Sequence, residues 1–488
     1  MGPPDLERNL MKTQLLVLFG AIVLVWGSKA FPASPPPNLI TIVTDDQAIW
    51  TLGCYGNREC PTPNMDRLSR EGARFTNAFV TTPVCSPSRA SFLTGRYGTE
   101  LGVTDWINRT EMDAGVGLPD VPTWPAVLQK NGYTTALVGK WHLGDKPQFH
   151  PTKHGFDHFF GFLAGGESAM NPNLEKDGKV SNFKGACSDI LTDDAIEFVE
   201  KNASAGKPFA MCLMYREPHQ PYFPVPKEDS DAIAHLDPTI PNAPLLDPKV
   251  TKQWTREYYA SIHAADRNIG RLLARLDELK LADNTIILFS SDHGYCIGQH
   301  TIYTKGNAVW IAGGVEGPRR PNMFEENIRV PLMIRWPGVT KPGSEIADTV
   351  TLLDTFPTVL GMLDIKSDDT VKQQHGIDYS PLLRGQSIPR REFLYGEYDM
   401  HNYAFASMRM IRTDEWKLVR FQLVNMQNEL YDLKNDPGET KNLYEKPAGR
   451  KMRDELQEKL TAYQESIHDQ MLTNPLNTPG VGGTVHAK

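Results

Sequence analysis

The sequence predicts an α/β fold, with a large, mixed, mostly parallel sheet flanked by helices and a smaller C-terminal α+β subdomain. Short apolar runs rich in β-branched residues recur along the chain, and helical patterns lie between them. From about residue 385 the pattern changes to short strands separated by polar turns. Strands that alternate with helices are typical of layered α/β folds, whose active sites lie beyond the C-terminal ends of the strands.

The first predicted strand is Asn38–Thr44, which begins directly after a run of three prolines. Similar runs follow at residues 134–138, 209–214, 285–289 and 331–334. The clearest helix is Tyr258–Lys280, because its apolar residues recur on one face. Four chemically active residues come just after predicted strands, which predicts one shared cleft: Asp45, Lys140, His219 and Asp292.

The C-terminal part is predicted to hold four strands, at residues 393–398, 408–411, 417–421 and 429–433, and a helix over 449–471. The predicted organisation is therefore a signal peptide at 1–30, a main α/β domain at 31–384, and an α+β subdomain at 385–488. The last fifteen or so residues are rich in Gly, Pro and Thr, which predicts a flexible tail.

The N-terminus resembles an export signal. Two basic residues precede the apolar run Leu15–Trp26, and Ser28-Lys29-Ala30 offers a cleavage site. The apolar run is shorter than the roughly 20 residues needed to cross a bilayer, so we expect no stable membrane span. We expect an exported protein, either periplasmic or secreted. The net charge of -8 and the lack of a Lys/Arg block make nucleic acid an unsuitable partner.

Six cysteines are too few for a disulfide scaffold in a chain of 488 residues. Cys54 and Cys60 are close enough in sequence to form one bridge. Cys212 is expected to be a small buried hydrophobic residue, and Cys296 to have a loop or core role.

The most informative segment is Cys85-Ser-Pro-Ser-Arg89, continued by Ala-Ser-Phe-Leu-Thr-Gly95. It resembles the signature of type I sulfatases, a family of the alkaline-phosphatase superfamily. The resemblance implies that Cys85 is oxidised to formylglycine by a formylglycine-generating or sulfatase-maturating enzyme. It further implies covalent catalysis: one hydroxyl of the hydrated aldehyde attacks sulfur, and the other later expels sulfate from the sulfo-formylglycine intermediate.

Two pairs of adjacent residues at strand ends predict a metal site. Asp45-Asp46 and Asp292-His293 each end a predicted strand, and adjacent carboxylates need a cation or hydrogen-bond donors. The oxygen-rich set favours Ca²⁺ before Mg²⁺. The predicted metal site comprises Asp45, Asp46, the modified Cys85, Asp292 and His293.

The resemblance also implies roles for five further residues. Arg89, one turn into a helix that starts near Pro87, holds the nucleophile. Lys140 and Lys305 bind the sulfate oxygens. His142, expected on the same side of an extended segment as Lys140, contacts the formylglycine hydroxyl, and His219 protonates the leaving alcohol.

The resemblance spans residues 37–445 and implies hydrolysis of a sulfate ester, on a carbohydrate, to an alcohol and inorganic sulfate. Candidates for the substrate rim are Asp105, Trp106, Tyr398, His401 and Arg409. Three alternatives stay open: an N-sulfoglucosamine sulfamidase, a phosphate mono- or diester hydrolase of the same superfamily, and a non-catalytic protein that binds sulfated glycans.

Overall fold

The structure, a computed structural model, describes Met1 and residues 36–307, 310–311, 315–316, 321–366, 374–402, 405–421 and 427–473. The predicted flexible tail and, apart from Met1, the predicted signal peptide lie outside these residues. Among the residues described, no helix has both the length and the apolar character required to cross a bilayer.

A ten-stranded mixed sheet forms the centre of the fold. The strands up to β9 are β1 Asn38–Thr44, β2 Ala73–Phe75, β3 Ala78–Phe79, β4 Thr134–Lys140, β5 His158–Phe162, β6 Asn173–Lys176, β7 Lys179–Asn182, β8 Phe209–Met214 and β9 Thr285–Ser291. The next five are β10 Trp310–Ile311, β11 Val315–Glu316, β12 Leu332–Arg335, β13 Ser344–Ile346 and β14 Val350–Thr351. The sheet order is β13-β2-β12-β9-β1-β8-β4-β5-β6-β7.

The middle of this sheet is parallel. β1 pairs in parallel with both β8 and β9, and β4 pairs in parallel with β8 and β5. β12 runs antiparallel to β9 and β2, and β6 and β7 form an antiparallel edge. The predicted mixed, mostly parallel sheet is confirmed, and β4 and β9 each continue two residues beyond the predicted strand.

Helices cover both faces of the sheet, because side chains along a strand alternate between the two faces. On β1, Ile40 and Ile42 belong to the core on one face of the sheet, whereas Leu39 and Val43 belong to the core on the opposite face. The helices are α1 Pro63–Glu71, α2 Cys85–Thr94, α3 Arg109–Ala114, α4 Trp124–Lys130, α5 Cys187–Ala205, α6 Lys227–Ala234, α7 Pro248–Glu278, α8 Glu325–Ile328, α9 Thr355–Met362 and α10 Ser380–Leu383.

Helix α7 begins ten residues before the predicted Tyr258, at Pro248. Its start has a clear local cause, because the Asp247 carboxylate accepts hydrogen bonds from the backbone N–H groups of Lys249 and Val250 at 2.8 and 3.2 Å. Proline at the first helical position needs no such partner and fits the start.

The C-terminal part forms a four-stranded antiparallel sheet. Its elements are β15 Leu394–Met400, β16 Ala406–Arg412, β17 Trp416–Phe421, β18 Glu429–Asp432, α11 Arg450–Ser466 and α12 Gln470–Thr473. Helix α11 packs Leu456 and Leu460 against Ile411 and Leu418 of the sheet. The predicted helix over 449–471 is divided, because His468 takes a left-handed φ of 55° between α11 and α12. The domain boundary at residues 384/385 stays a prediction.

All six cysteines are free thiols in the structure, so the bridge that the spacing of Cys54 and Cys60 would allow is not formed. Cys212 lies buried on β8, as expected of a small hydrophobic residue. Cys296 is also buried, with its Sγ 3.5 Å from Asn327 Oδ1.

Candidate active site

The site lies at the C-terminal edge of β1, β4 and β9. Asp45 follows β1, Lys140 is the last residue of β4, and Asp292 follows β9. Asp46 takes a left-handed φ of 67°, and its backbone N–H donates to Asp292 Oδ1 at 3.2 Å. Non-glycine residues in this region mark turns that the surrounding structure fixes. The ends of these three strands therefore lie together, as the sequence predicts.

The five residues predicted to hold a metal come together. Cys85 Sγ lies 3.7 Å from Asp45 Oδ1 and 3.4 Å from His293 Nε2. His293 Nε2 lies 3.2 Å from Asp46 Oδ1 and 3.5 Å from Asp292 Oδ1. The Nδ1 of His293 is 2.9 Å from the Gly294 carbonyl oxygen, which orients Nε2 toward the carboxylates.

This donor set fits a hard divalent cation. Three buried carboxylates and one oriented imidazole face the same small volume, and carboxylate oxygens are the preferred ligands of such ions. Burial lowers the pKa of His293, but Asp292, Cys85 and Asp46 together outweigh it and raise the pKa to about 9. A proton and a metal ion compete for the same lone pair of Nε2, so cation binding at this site releases a proton.

Buried cations offset the charge of the two carboxylates that follow β1. Lys140 Nζ is 2.5 Å from Asp45 Oδ2, and Lys305 Nζ is 2.6 Å from Asp46 Oδ1. Burial would raise the pKa of Asp45, but Lys140 holds it well below its usual range. Lys305 likewise lowers the pKa of Asp46 against the effect of burial. Burial dominates at Asp292, whose pKa rises to about 6.

Cys85 is the first residue of α2, two residues before the predicted helix start at Pro87. Its Sγ accepts a hydrogen bond from Lys305 Nζ at 3.0 Å. Burial alone would raise the pKa of this thiol, but Lys140 and Lys305 lower it to about 6. The helix N-terminus adds favourable potential for a negative charge at this position.

Arg89 lies one turn further along α2 and ties the helix to the acidic residues. Its Nε donates to Asp292 Oδ2 at 3.0 Å, and its Nη1 donates to the Lys140 carbonyl oxygen at 3.1 Å. Ser88 adds a second tie, since its hydroxyl donates to the carbonyl of Asp292. The arginine therefore fixes the relative position of the nucleophile candidate and the end of β9.

His142 enters the site from a turn. The sequence predicts an extended segment over residues 140–142. That prediction is wrong at His142, which has a left-handed φ of 59° and donates from its backbone N–H to the carbonyl of Leu163, directly after β5. Its Nε2 lies 3.0 Å from the Ile107 carbonyl oxygen, and Nδ1 has no hydrogen-bond partner among the described residues. Burial, Lys140 and Arg89 hold the pKa of His142 well below its usual range, so the ring is neutral at pH 7. Nε2 then carries the hydrogen, and Nδ1 is a free acceptor.

His219 is oriented by its own loop. Its Nδ1 lies 2.7 Å from the Gln220 carbonyl oxygen, and its Nε2 lies 3.8 Å from Asp46 Oδ2. Burial lowers the pKa of His219, although Asp46 and Asp45 act in the opposite direction. Only Nε2 is available to exchange a proton with a ligand.

A cavity of about 420 Å³ opens above these groups. Cys85, His142, His219 and Lys305 form its floor. The remaining lining residues are Trp106, Ile107, Asn108, Arg109, Met112, Ala164, Gly165, Gly166, Thr304 and Asn307. Sequence analysis found only Trp106 of these. The sequence does contain a local pattern at Asn108, because Asn108 and Glu111 form a capping box at the start of α3. That pattern indicates the start of a helix and not a residue that lines a cavity.

The five residues predicted for the substrate rim separate into two groups. Trp106 lines the cavity. Arg409 is a correction: it is fully buried between Asp399 and Asp469, at 2.6 and 2.7 Å, which assigns it to packing of the C-terminal sheet. Asp105 and Tyr398 are also corrections, because they are buried and hydrogen bond to each other at 2.8 Å. His401 pairs with Glu111 beside the cavity and is not among its lining residues.

Comparison with known proteins identifies the family. The family model Sulfatase matches residues 37–365, and the model for the C-terminal part of N-sulphoglucosamine sulphohydrolase matches residues 319–466. The N-acetylglucosamine-6-O-sulfatase of Bacteroides thetaiotaomicron is 29% identical, over 89% of this chain and 87% of that protein. The ulvan-active sulfatase of Formosa agariphila is 30% identical, over 89% of this chain and 82% of that protein.

Solved structures agree with the sequence matches. BT4656, solved in complex with its substrate D-glucosamine-2-N,6-O-disulfate, superposes with a TM-score of 0.77 at 28% identity. The match covers 91% of this chain and 99% of that chain, so both the large sheet and the C-terminal sheet have counterparts. The family predicted from the C-x-P-S-R segment and the fold predicted from the alternation of strands and helices are thus confirmed. The chain belongs to the sulfatase family and is a sulfuric ester hydrolase.

Proposed function

We propose that this chain hydrolyses a sulfate ester carried on a carbohydrate, with position 85 as the nucleophile and a bound Ca²⁺ as its partner. One observation supports the proposal above all. Cys85 Sγ lies on the floor of the cavity, 3.0 Å from Lys305 Nζ and 3.7 Å from Asp45 Oδ1. Oxidation of this thiol to formylglycine by a maturating enzyme would supply a hydrated aldehyde, a nucleophile that no unmodified side chain offers.

The cation would be held by Asp45, Asp46, Asp292 and His293. When bound, it supplies Lewis-acid polarisation of a sulfate oxygen and a template for the nucleophile. Ca²⁺ accommodates a flexible, carboxylate-rich set with an irregular ligand number, whereas Mg²⁺ demands near-octahedral geometry. We therefore propose Ca²⁺ before Mg²⁺.

The two lysines have the clearest role in charge stabilisation. A sulfuryl group in transfer carries charge on its oxygens, and Lys305 Nζ faces the cavity beside Cys85. Lys140 lies deeper, at 1% exposure, against Asp45. Preorganised cations in a site closed to water stabilise such charge more strongly than they do in water. Arg89 holds the geometry of this group through Asp292.

The two histidines have different proton roles. The neutral ring of His142, with Nδ1 unpartnered, takes a proton from a hydroxyl at position 85. His219 gives a proton from Nε2 to the departing alcohol. Because Nδ1 donates to the Gln220 carbonyl, this proton is present only when the ring is protonated, and the lowered pKa makes that form less abundant but more acidic. A sugar hydroxyl is a poor leaving group, so the acid matters most for carbohydrate substrates.

The proposed substrate class follows from the cavity and the relatives. A volume of about 420 Å³ is in the range for a small ligand such as one sugar residue. Trp106 offers an aromatic face in the wall, and Asn108, Arg109 and Asn307 offer polar groups. One relative is named for a 6-O-sulfated amino sugar, and one structural neighbour was solved with a sulfated glucosamine. We propose that the mature protein meets such sugars outside the cytoplasm, after cleavage of residues 1–30.

N-sulfate cleavage is the second candidate. It is favoured by the match of residues 319–466 to the C-terminal model of N-sulphoglucosamine sulphohydrolase. The catalytic groups described above serve either an O-sulfate or an N-sulfate, so only the products distinguish the two.

The test uses the full chain, produced with a sulfatase-maturating enzyme, and a Cys85→Ser variant as the matched control. Glucosamine 6-O-sulfate, glucosamine N-sulfate, an aryl sulfate and an aryl phosphate are supplied separately, and released sulfate or phosphate is measured. We expect sulfate from the O-sulfated sugar and the aryl ester, and none with the variant. Release from the N-sulfate alone would favour the sulfamidase, and preferred release from the aryl phosphate would favour the phosphoesterase. Binding without release would favour the glycan-binding protein.

A further inference from the structure

One side of the cavity is formed by a segment outside the central sheet. This wall consists of residues 106–112, of which Trp106, Ile107, Asn108, Arg109 and Met112 line the cavity. Among the residues that the structure describes, the wall is hydrogen bonded to helix α2 and the floor through one residue: the backbone N–H of Ile107 donates to Ser86 Oγ at 3.0 Å, and its carbonyl oxygen lies 3.0 Å from His142 Nε2. Its position must therefore be fixed largely from elsewhere.

The Asp105 carboxylate provides that anchor. It is 2% exposed and accepts four hydrogen bonds. Oδ1 accepts from the backbone N–H of Trp106 and from the Tyr398 hydroxyl, both at 2.8 Å. Oδ2 accepts from the backbone N–H groups of His401 and Asn402 at 3.0 and 3.1 Å. Asp105 thus joins the start of the wall to the end of β15.

Asn402 makes the second connection. Its Nδ2 donates to the Trp106 carbonyl oxygen at 2.6 Å, and its Oδ1 accepts from Asn108 Nδ2. Beside it, His401 Nε2 lies 2.7 Å from Glu111 Oε1, and Glu111 Oε2 accepts from the backbone N–H of Asn108 at 3.0 Å. We call Asp105, Tyr398, His401 and Asn402 the clamp.

The clamp and the catalytic floor come from different parts of the fold. Three of the four clamp residues lie on β15 or directly after it, and none of the four is among the lining residues of the cavity. The acidic residues and Lys140 come instead from the ends of β1, β4 and β9. Lys140 and Lys305 are hydrogen bonded to Asp45, Asp46 and Cys85, whereas the wall meets the floor where the Ile107 carbonyl faces His142 Nε2 at 3.0 Å. A shift of the clamp is therefore expected to move the wall, and to a smaller extent His142, more than the two lysines.

We propose that the clamp residues are positioning residues for substrate selectivity: through Asp105 and Asn402, the C-terminal sheet sets the wall against which the sugar ring of the substrate is bound. This rests on the proposed carbohydrate substrate. A small aryl sulfate needs the floor and uses little of the wall. The clamp therefore acts mainly on the preference for a sulfated sugar over an aryl sulfate, with a smaller effect on the chemistry at sulfur through the hydrogen bond between Ile107 and His142.

The test compares kcat and KM for glucosamine 6-O-sulfate and an aryl sulfate in the Asn402→Ala and Asp105→Asn variants. Asn442→Ala is the matched control. Asn442 also anchors a loop of the C-terminal part, donating from Nδ2 to the Asn428 carbonyl at 2.9 Å and accepting from the backbone N–H of Tyr444 at 2.9 Å, but it is not among the cavity-lining residues.

We expect the ratio of kcat/KM for the sugar to that for the aryl ester to fall roughly tenfold in each clamp variant, mainly through KM, as expected when two hydrogen bonds are lost. The ratio in Asn442→Ala should equal that of the unsubstituted chain. An unchanged ratio, or equal losses on both substrates in a clamp variant that is folded by circular dichroism, would overturn the clamp while leaving the proposed function intact. Asp105→Asn keeps the side-chain size, so it decides the matter if Asn402→Ala fails to fold. No turnover of the sugar by the unsubstituted chain would refute both.

Discussion

Gly165→Ala is expected to inactivate the enzyme through His142. Gly165 lines the cavity, and a Cβ placed there would lie 2.5 Å from His142 Nε2 and 2.6 Å from Cε1. Optimal separations between such atoms are roughly 3.5 Å, so the ring would have to move by about 1 Å. The movement would stretch the 3.0 Å hydrogen bond from Nε2 to the Ile107 carbonyl, which holds the ring in place.

The size of the effect follows from that displacement. Misplacing a catalytic group by about 1 Å lowers the rate by roughly 100-fold, which corresponds to about 2.7 kcal/mol in the activation free energy. His142 belongs to the floor and not to the wall, so KM should change much less than kcat. Lys305 Nζ, the proposed ligand of the sulfate group, is hydrogen bonded to Asp46 Oδ1 and Cys85 Sγ and not to this ring.

The assay is steady-state turnover of an aryl sulfate by the mature enzyme, with thermal unfolding recorded for each variant. The neighbouring Gly166→Ala is a close control, because Gly166 also lines the cavity and a Cβ there meets no atom within 4 Å. We expect its kcat to stay within about threefold of the unsubstituted value, since only overpacked substitutions cause strain. Comparable kcat values for the two alanine variants would refute the role given to His142.

Three further predictions concern the acid, the metal and the buried ion pairs. His219→Ala should lower kcat by roughly 100-fold on a sugar sulfate and much less on an aryl sulfate, and equal losses would count against the acid role. Asp292→Ala should lose bound Ca²⁺ on dialysis, measured by elemental analysis, whereas retention of one ion per chain would remove Asp292 from the ligand set. Although burial opposes it, Arg409 lowers the pKa of Asp469 from 3.8 to about 2, which contributes about 2 kcal/mol of stability above pH 4. That contribution is lost as the pH falls from about 4 to about 2. The difference in Tm between the unsubstituted chain and Asp469→Asn should therefore shrink over this pH range. A Tm difference that does not vary with pH would contradict the assignment.

Much of the central sheet could be predicted from local sequence. β1 and β8 match the predicted bounds because each is a short, mostly apolar run that is buried along its whole length. The first residues of α7 were missed because they are polar, and only the Asp247-Pro248 start signal indicates them. The strands β6 and β7 were missed because each has four residues, of which only one is apolar, so neither shows an apolar pattern.

The chemical groups of the site were predictable because their chemistry demands particular residue types at the ends of strands. The cavity wall was not, because it depends on pairings between residues far apart in sequence. The contact between Asp105 and Tyr398 spans almost three hundred residues, and no local pattern indicates it. Arg409 was misassigned for the same reason: an arginine in a strand resembles a ligand-binding residue until its contacts with Asp399 and Asp469 are known.

The state of position 85 tests the central claim most directly. Mass spectrometry of the tryptic peptide that spans residues 75–89, taken from active enzyme and treated with a hydrazide probe, distinguishes an aldehyde from a thiol. We predict an aldehyde that the probe labels, in proportion to specific activity across preparations. An intact thiol at Cys85 in fully active enzyme would contradict the proposed nucleophile.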